Sequence, residues 1–114
     1  MVAAGWAVAA ARSLLPGQLV QVTYFVTARC NLRCEMCFYW ERLDGADASQ
    51  ELSLEEVERI TSTMPVFPWL ILSGGEPFLR SDLDAVCEIF ARRCRVTHLT
   101  VPTNGFFPDR VEAL

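Results

Sequence analysis

Three cysteines stand within eight residues of one another, in the spacing C-x3-C-x2-C formed by Cys30, Cys34 and Cys37. Thiolates are soft donors, so three of them this close together can coordinate one face of an iron–sulfur cluster or bind zinc. The chain has five cysteines in 114 residues, and an odd number argues against a disulfide framework. The spacing therefore predicts a metal-binding loop in a reducing compartment such as the cytoplasm.

The other possible donors limit what this loop can bind. Zinc needs a fourth ligand, and outside the loop the chain offers only His98, Cys87 and Cys94. The two cysteines fall on the apolar face of a predicted helix, where we expect small core residues, and we expect the histidine to be structural. Electron-transfer ferredoxins also use four cysteines. Three protein ligands leave one metal position open, which favours a catalytic cluster over zinc, a ferredoxin or unrelated core thiols.

Strand-like runs alternate with amphipathic helical segments along the chain. The predicted strands are residues 18–27 and 69–72, both expected to be buried, and residues 96–101, expected to be an open edge of the sheet. Helices are predicted to begin at Ser53, which forms a capping box with Glu56, near Ser81, and at Pro108. This order predicts an α/β fold of about three βα units with a parallel sheet and right-handed crossovers.

Two further motifs follow predicted strands directly. Gly74-Gly75-Glu76-Pro77 comes after the second strand, and Thr103-Asn104-Gly105 comes after the third. Glycines let the backbone approach a ligand closely, and the glutamate adds negative charge suited to an ammonium group. Because the carboxyl ends of parallel strands meet at one edge of a sheet, we predict that both turns and the cysteine loop form one site.

Taken together, these motifs resemble the radical S-adenosylmethionine (radical SAM) superfamily. In that family the three cysteines hold a [4Fe–4S] cluster, and its fourth iron chelates the amino and carboxylate groups of S-adenosylmethionine. Reductive cleavage yields methionine and a 5′-deoxyadenosyl radical, which abstracts a hydrogen atom from a substrate. The resemblance implies that the metal ligands are Cys30, Cys34 and Cys37, and that the cofactor-binding residues are Met36, Gly74, Gly75, Glu76, Pro77, Thr103 and Asn104.

Two of these assignments leave an alternative open. The Thr-Asn-Gly turn suits either a cofactor contact or turn geometry alone. The family often has an aromatic residue just before the third cysteine, close to the adenine, where this chain has Met36. Methionine is apolar and adaptable, so packing against adenine is retained. We expect Phe38 and Trp40, which follow the cysteine, to be wall or core residues.

The resemblance covers about residues 18–107. It implies the N-terminal half of a partial (β/α) barrel, and three strands cannot close such a barrel. We therefore expect residues 18–114 to be a truncated radical SAM core domain, preceded by an apolar segment in residues 1–17 that begins with a short packed helix. The rest of the substrate pocket would come from further sequence, a second chain or a partner.

Composition narrows the possible partners. The net charge of −4 and the lack of a basic run argue against nucleic acid, and the apolar stretch of residues 1–11 is too short to span a membrane. The resemblance implies an unidentified small-molecule or peptide substrate and an electron donor such as flavodoxin or ferredoxin. The alternative is a non-catalytic iron–sulfur binding module or an inactive fragment.

Overall fold

The computed structural model describes Ala7, Ala11 and residues 15–114, so the helix predicted for residues 1–11 lies almost wholly outside the described residues. Three parallel strands form one sheet in the order β1-β2-β3. The strands are β1 (Gln21–Thr27), β2 (Trp69–Gly74) and β3 (His98–Thr100). Helices connect them, which confirms the predicted α/β fold of about three βα units, the N-terminal half of a partial (β/α) barrel.

Within residues 15–114, four helices accompany the strands: α1 (Trp40–Leu43), α2 (Leu54–Thr63), α3 (Leu83–Cys94) and α4 (Pro108–Ala113). The capping box predicted for α2 is present, because Ser53 Oγ accepts from the Glu56 backbone N–H (3.3 Å) and the Glu56 carboxylate accepts from the Ser53 N–H (2.8 Å). Pro108 is the first residue of α4, as predicted. No helix in the described part of the chain has the length and apolar character needed to cross a bilayer.

Short elements and strand ends differ from the sequence prediction. Single 3-10 turns occur at Ala48–Gln50 and at Pro77–Leu79. Strand β3 is shorter than residues 96–101 because the N–H groups of Thr97 and His98 both donate to the Pro68 carbonyl (3.0 and 2.9 Å). Regular pairing with β2 therefore begins only at His98.

The core lies between one face of the sheet and helices α2 and α3. Val26, Leu70 and Leu72 are buried there against residues of both helices. The opposite face of β1 is open, with Phe25 40% exposed and Thr23 also exposed. The prediction of a buried first strand is therefore wrong for this face, because the described helices cover only one side of the sheet.

Candidate cofactor and metal site

The Gly-Gly turn after β2 lies against the end of β1. The Gly75 N–H donates to the Thr27 carbonyl (2.9 Å), and the Glu76 N–H donates to the Arg29 carbonyl (2.8 Å). A Cβ atom on Gly74 would stand 2.1 Å from the Thr27 oxygen, and one on Gly75 would stand 2.1 Å from the Arg29 oxygen. Both glycines are thus required by contact with the chain's own backbone, just before Cys30, whereas the sequence suggested only close approach of a ligand.

The carboxylate of Glu76 joins the Gly-Gly-Glu-Pro turn to the Thr-Asn-Gly turn. Its Oε1 accepts from the Phe78 N–H (3.0 Å) and the Thr103 hydroxyl (2.9 Å), and its Oε2 accepts from the Asn104 N–H (2.8 Å). The residue is only 1% exposed, and Pro77 beside it is also buried. Glu76 therefore contributes negative charge to this edge of the sheet while its oxygens are used to hold the two turns together.

A side-chain hydrogen bond connects the Thr-Asn-Gly turn to the cysteine loop. Asn104 Nδ2 donates to Asn31 Oδ1 (2.9 Å), and Asn31 directly follows Cys30. With the backbone contacts of Gly75 and Glu76, this bond brings all three predicted motifs into direct contact at one edge. Cofactor binding by Thr103 and Asn104 themselves stays a prediction.

Arg29 fixes the segment that enters the cysteine loop. Its Nε donates to Glu51 Oε1 (2.7 Å), and its guanidinium also donates to the Leu79 carbonyl (3.0 Å). Glu51 Oε1 also accepts from the Thr27 hydroxyl (2.6 Å). The start of the loop is therefore held from both sides, by the segment before α2 and by the turn after β2.

The cysteine loop presents its thiols at the surface. Cys34 is exposed, and Cys30 and Cys37 are partly buried. The Leu32 N–H donates to Cys30 Sγ (3.5 Å) and the Tyr39 N–H donates to Cys37 Sγ (3.4 Å). Hydrogen bonds of this kind accompany cysteine ligands of iron–sulfur clusters and tune them.

Within the described residues, no three Cys, His, Asp or Glu side chains converge as ligands of a single metal ion would. In an iron–sulfur cluster each thiolate binds a different iron, so the thiolates stand farther apart than the ligands of one ion. Three accessible thiols on one loop, two of them accepting backbone N–H groups, are the donors that such a cluster needs. The residues present therefore fit an iron–sulfur cluster.

The apolar side chains around the third cysteine are mostly exposed. Met36 is 92% exposed and Phe38 is 87% exposed. Of the two expectations for Phe38, a core position is wrong, and a place in the wall of the site stays a prediction. Trp40 is partly exposed, and its Nε1 donates to the Cys34 carbonyl (2.7 Å). The Arg33 guanidinium lies over the Trp40 ring at 5.8 Å from its centroid. Trp40 thus supports the loop from outside the core.

The other two cysteines have a different environment. Cys94 is buried, and burial raises the pKa of its thiol. Burial, helped by the nearby charge of Asp84, raises the pKa of Cys87 to about 11. Both lie in or against the hydrophobic core, in agreement with the prediction that they are small core residues.

This contrast predicts how the five thiols react. In metal-free protein at pH 8, iodoacetamide is expected to alkylate Cys30, Cys34 and Cys37 while Cys87 and Cys94 stay unmodified, because the thiolate is the reactive form and must be accessible. Mass spectrometry of the intact protein and of its peptides measures this directly. All five should react after unfolding in guanidinium. Rapid labelling of Cys94 in the folded protein would contradict the burial of that side chain in the core.

Three contributors to the site were not singled out from the sequence. Each accepts a hydrogen bond from a residue far away along the chain. Arg29 donates to Glu51 and to the Leu79 carbonyl, 22 and 50 residues away, and Asn104 donates to Asn31, 73 residues away. The only local signal was the position of Asn31 between two predicted ligands.

Comparison with known proteins agrees with this geometry. A sequence model of the Radical SAM superfamily matches residues 24–114, which is more than half of the chain. A 7,8-dihydro-6-hydroxymethylpterin dimethyltransferase of Methanocaldococcus jannaschii is 36% identical over 84 residues, covering 70% of this chain and 16% of that protein. A pre-heme d1 synthase of Dinoroseobacter shibae is 37% identical over 91 residues, covering 74% of this chain and 20% of that protein.

An Fe-coproporphyrin III synthase of Methanosarcina barkeri is 32% identical over 106 residues, covering 84% of this chain and 26% of that protein. The chain thus spans only 16% to 26% of the lengths of these three relatives. The superfamily match includes the cysteine loop and both of the turns that contact it. The chain therefore belongs to the radical SAM superfamily.

Proposed function

We propose that the chain forms the cluster- and cofactor-binding part of a radical SAM enzyme. The observation that carries this proposal is that hydrogen bonds join the cysteine loop, the Gly-Gly-Glu-Pro turn and the Thr-Asn-Gly turn at one edge of the sheet. Cys30, Cys34 and Cys37 would hold a [4Fe–4S] cluster. When bound, the cluster supplies the electron that cleaves S-adenosylmethionine into methionine and the 5′-deoxyadenosyl radical.

The other residues of this edge have separate roles in the proposal. The exposed side chain of Met36, next to Cys37, suits an apolar contact with adenine. The backbone of Gly74 and Gly75 would receive the amino group of the cofactor. Glu76 would favour that positive charge through its own negative charge, without touching it, because its oxygens already bind Phe78, Thr103 and Asn104.

The substrate and the electron donor are further parts of the proposal. The three relatives are named for a pterin, for Fe-coproporphyrin III and for pre-heme d1, which supports a small molecule over a peptide as substrate. Flavodoxin or ferredoxin would supply the electron. All five cysteines are free thiols, which supports a reducing compartment such as the cytoplasm.

The test is anaerobic reconstitution with iron and sulfide, followed by reduction with dithionite in the presence of S-adenosylmethionine. We expect about four irons per chain and formation of 5′-deoxyadenosine with methionine. Cys34→Ala should lose both the iron and the product, whereas Cys87→Ala, a matched cysteine outside the loop, should keep them. Tight zinc without iron would contradict the cluster. A full cluster that never yields 5′-deoxyadenosine would favour the alternative of a non-catalytic iron–sulfur module.

A further inference from the structure

The side-chain amide of Asn104 has one fixed orientation. Its Oδ1 accepts from the Phe106 backbone N–H (3.0 Å), and since that group can only donate, Oδ1 must be on this side. Its Nδ2 therefore faces Asn31 Oδ1, to which it donates at 2.9 Å. The Asn104 backbone N–H is bound to Glu76 (2.8 Å), so the residue is held through both its backbone and its side chain.

The orientation of Asn104 fixes that of Asn31. Because Asn31 Oδ1 accepts from Asn104, the two N–H groups on Asn31 Nδ2 lie on the other side of its amide. The described residues give Nδ2 no hydrogen-bond partner, and the residue is exposed. It stands between Cys30 and Cys34 in the loop. An amide N–H₂ donates and never accepts, so the group it suits is an anion or another acceptor.

We propose that Asn104 positions Asn31 so that the Asn31 amide donates a hydrogen bond to an anionic group held at the cysteine loop. That group is either a sulfur of the iron–sulfur cluster or the carboxylate of S-adenosylmethionine. The inference rests on the proposed function, and it adds two residues that set the properties of the site without being metal ligands. Hydrogen bonds to cluster sulfurs stabilise the more negative, reduced state and so raise the reduction potential.

Three variants of the intact, reconstituted protein test separately the Asn31 amide, which donates, and the Asn104 side chain, which orients it. Asn31→Ala removes the donor together with the acceptor for Asn104. Asn31→Asp keeps that acceptor but has no N–H₂ group. Asn104→Asp keeps the acceptor for the Phe106 N–H and loses the donor to Asn31, while the cysteine loop keeps its sequence. Gln21→Ala and Gln21→Glu make matched changes at an exposed amide at the other end of β1.

Two measurements distinguish the two possible acceptors. The midpoint potential is measured by a redox titration followed by electron paramagnetic resonance, without S-adenosylmethionine. The affinity for S-adenosylmethionine is measured by calorimetry. If a cluster sulfur is the acceptor, we expect all three variants to have a lower potential than the wild type. If the carboxylate is the acceptor, the potential stays the same and the affinity falls about tenfold to a hundredfold, as for a hydrogen bond to a charged group.

Asn104→Asp should change the same quantity as Asn31→Ala does, because an aspartate accepts where Asn104 donates and would draw the Asn31 N–H₂ group toward itself. The inference is overturned if Asn31→Ala and Asn104→Asp hold wild-type iron and match the Gln21 variants in both potential and affinity. If Asn31→Ala fails to load iron, the midpoint potential and the S-adenosylmethionine affinity of Asn104→Asp decide whether the inference holds. A wild-type protein that holds no iron overturns the proposed function itself, and this inference with it.

Discussion

Replacing Gly75 with alanine is expected to lower the free energy of unfolding by about 3 kcal/mol and to abolish retention of the cluster. The new Cβ atom would stand 2.1 Å from the Arg29 carbonyl oxygen and 2.6 Å from its carbonyl carbon. No side-chain rotation relieves a contact with backbone, so the end of β1 and the turn after β2 must separate. This breaks the bonds from the Gly75 and Glu76 N–H groups and moves the residue that precedes Cys30.

Gly45→Ala is the matched control. Gly45 has a φ of +72°, and a Cβ atom there would meet nothing within 4 Å. Its replacement should cost only the strain of a left-handed backbone, about 1 kcal/mol, and should leave the iron content unchanged. Urea unfolding of the metal-free proteins gives the two stabilities, and iron analysis after reconstitution gives cluster retention. Equal urea midpoints for the two variants, or full iron in Gly75→Ala, would contradict this prediction. Either result would show that contact between a Cβ atom at position 75 and the Arg29 carbonyl does not disrupt the cysteine loop.

The parts of the fold that sequence predicted correctly depend on short-range chemistry. The capping box of α2 needs only Ser53 and Glu56, three residues apart, and Pro108 begins α4 because its fixed φ suits that position. The parallel sheet follows from alternating βα segments, for which few topologies exist. The gathering of the motifs at one edge follows from parallel strands in the same way.

What sequence did not predict depends on contacts between distant residues. The glycines of the turn after β2 suggested close approach of a ligand, but not that a Cβ atom there would meet the carbonyls of Thr27 and Arg29. Glu76 suggested a charge facing the cofactor, but it is buried among donors from two turns. Neither outcome can be read from residue type, because the same glycine or glutamate would serve either role.

Arg80 shows most clearly a role that depends on contacts between distant residues. It is 1% exposed and donates to the Tyr24 hydroxyl, the Val26 and Leu52 carbonyls and the Asp82 carboxylate, so it ties β1 to the starts of α2 and α3. Burial by itself lowers the pKa of Arg80, but the hydrogen bond to Asp82 and the charges of Tyr24 and Asp82 outweigh it and raise the pKa. An arginine in a turn-like segment gave no sign of this role, since arginines are usually exposed.

Replacing Glu76 with alanine is expected to cost about 3 kcal/mol or more of folding free energy. The change leaves the buried Phe78 N–H without its acceptor, which costs about 1–3 kcal/mol. It also removes the part-buried hydrogen bonds from the Thr103 hydroxyl and the Asn104 N–H to a charged group, which contribute further. Glu76→Gln should cost less, about 1–2 kcal/mol. Each oxygen of Glu76 accepts from a backbone N–H, so the glutamine NH₂ must face one such donor in either orientation.

Loss of the Glu76 carboxylate should also disturb the cysteine loop. Glu76 accepts from the Asn104 N–H, and the Asn104 side chain donates to Asn31. We therefore expect stability and iron retention to fall in the order wild type, Glu76→Gln, Glu76→Ala. Glu55→Ala on α2 is the control, since that carboxylate is well exposed and its ion pair with Arg59 at 3.4 Å contributes little. Urea unfolding and iron analysis measure both effects. Equal losses of stability and iron in Glu76→Gln and Glu76→Ala would contradict this order and show that the hydrogen bonds kept by glutamine do not support the two turns.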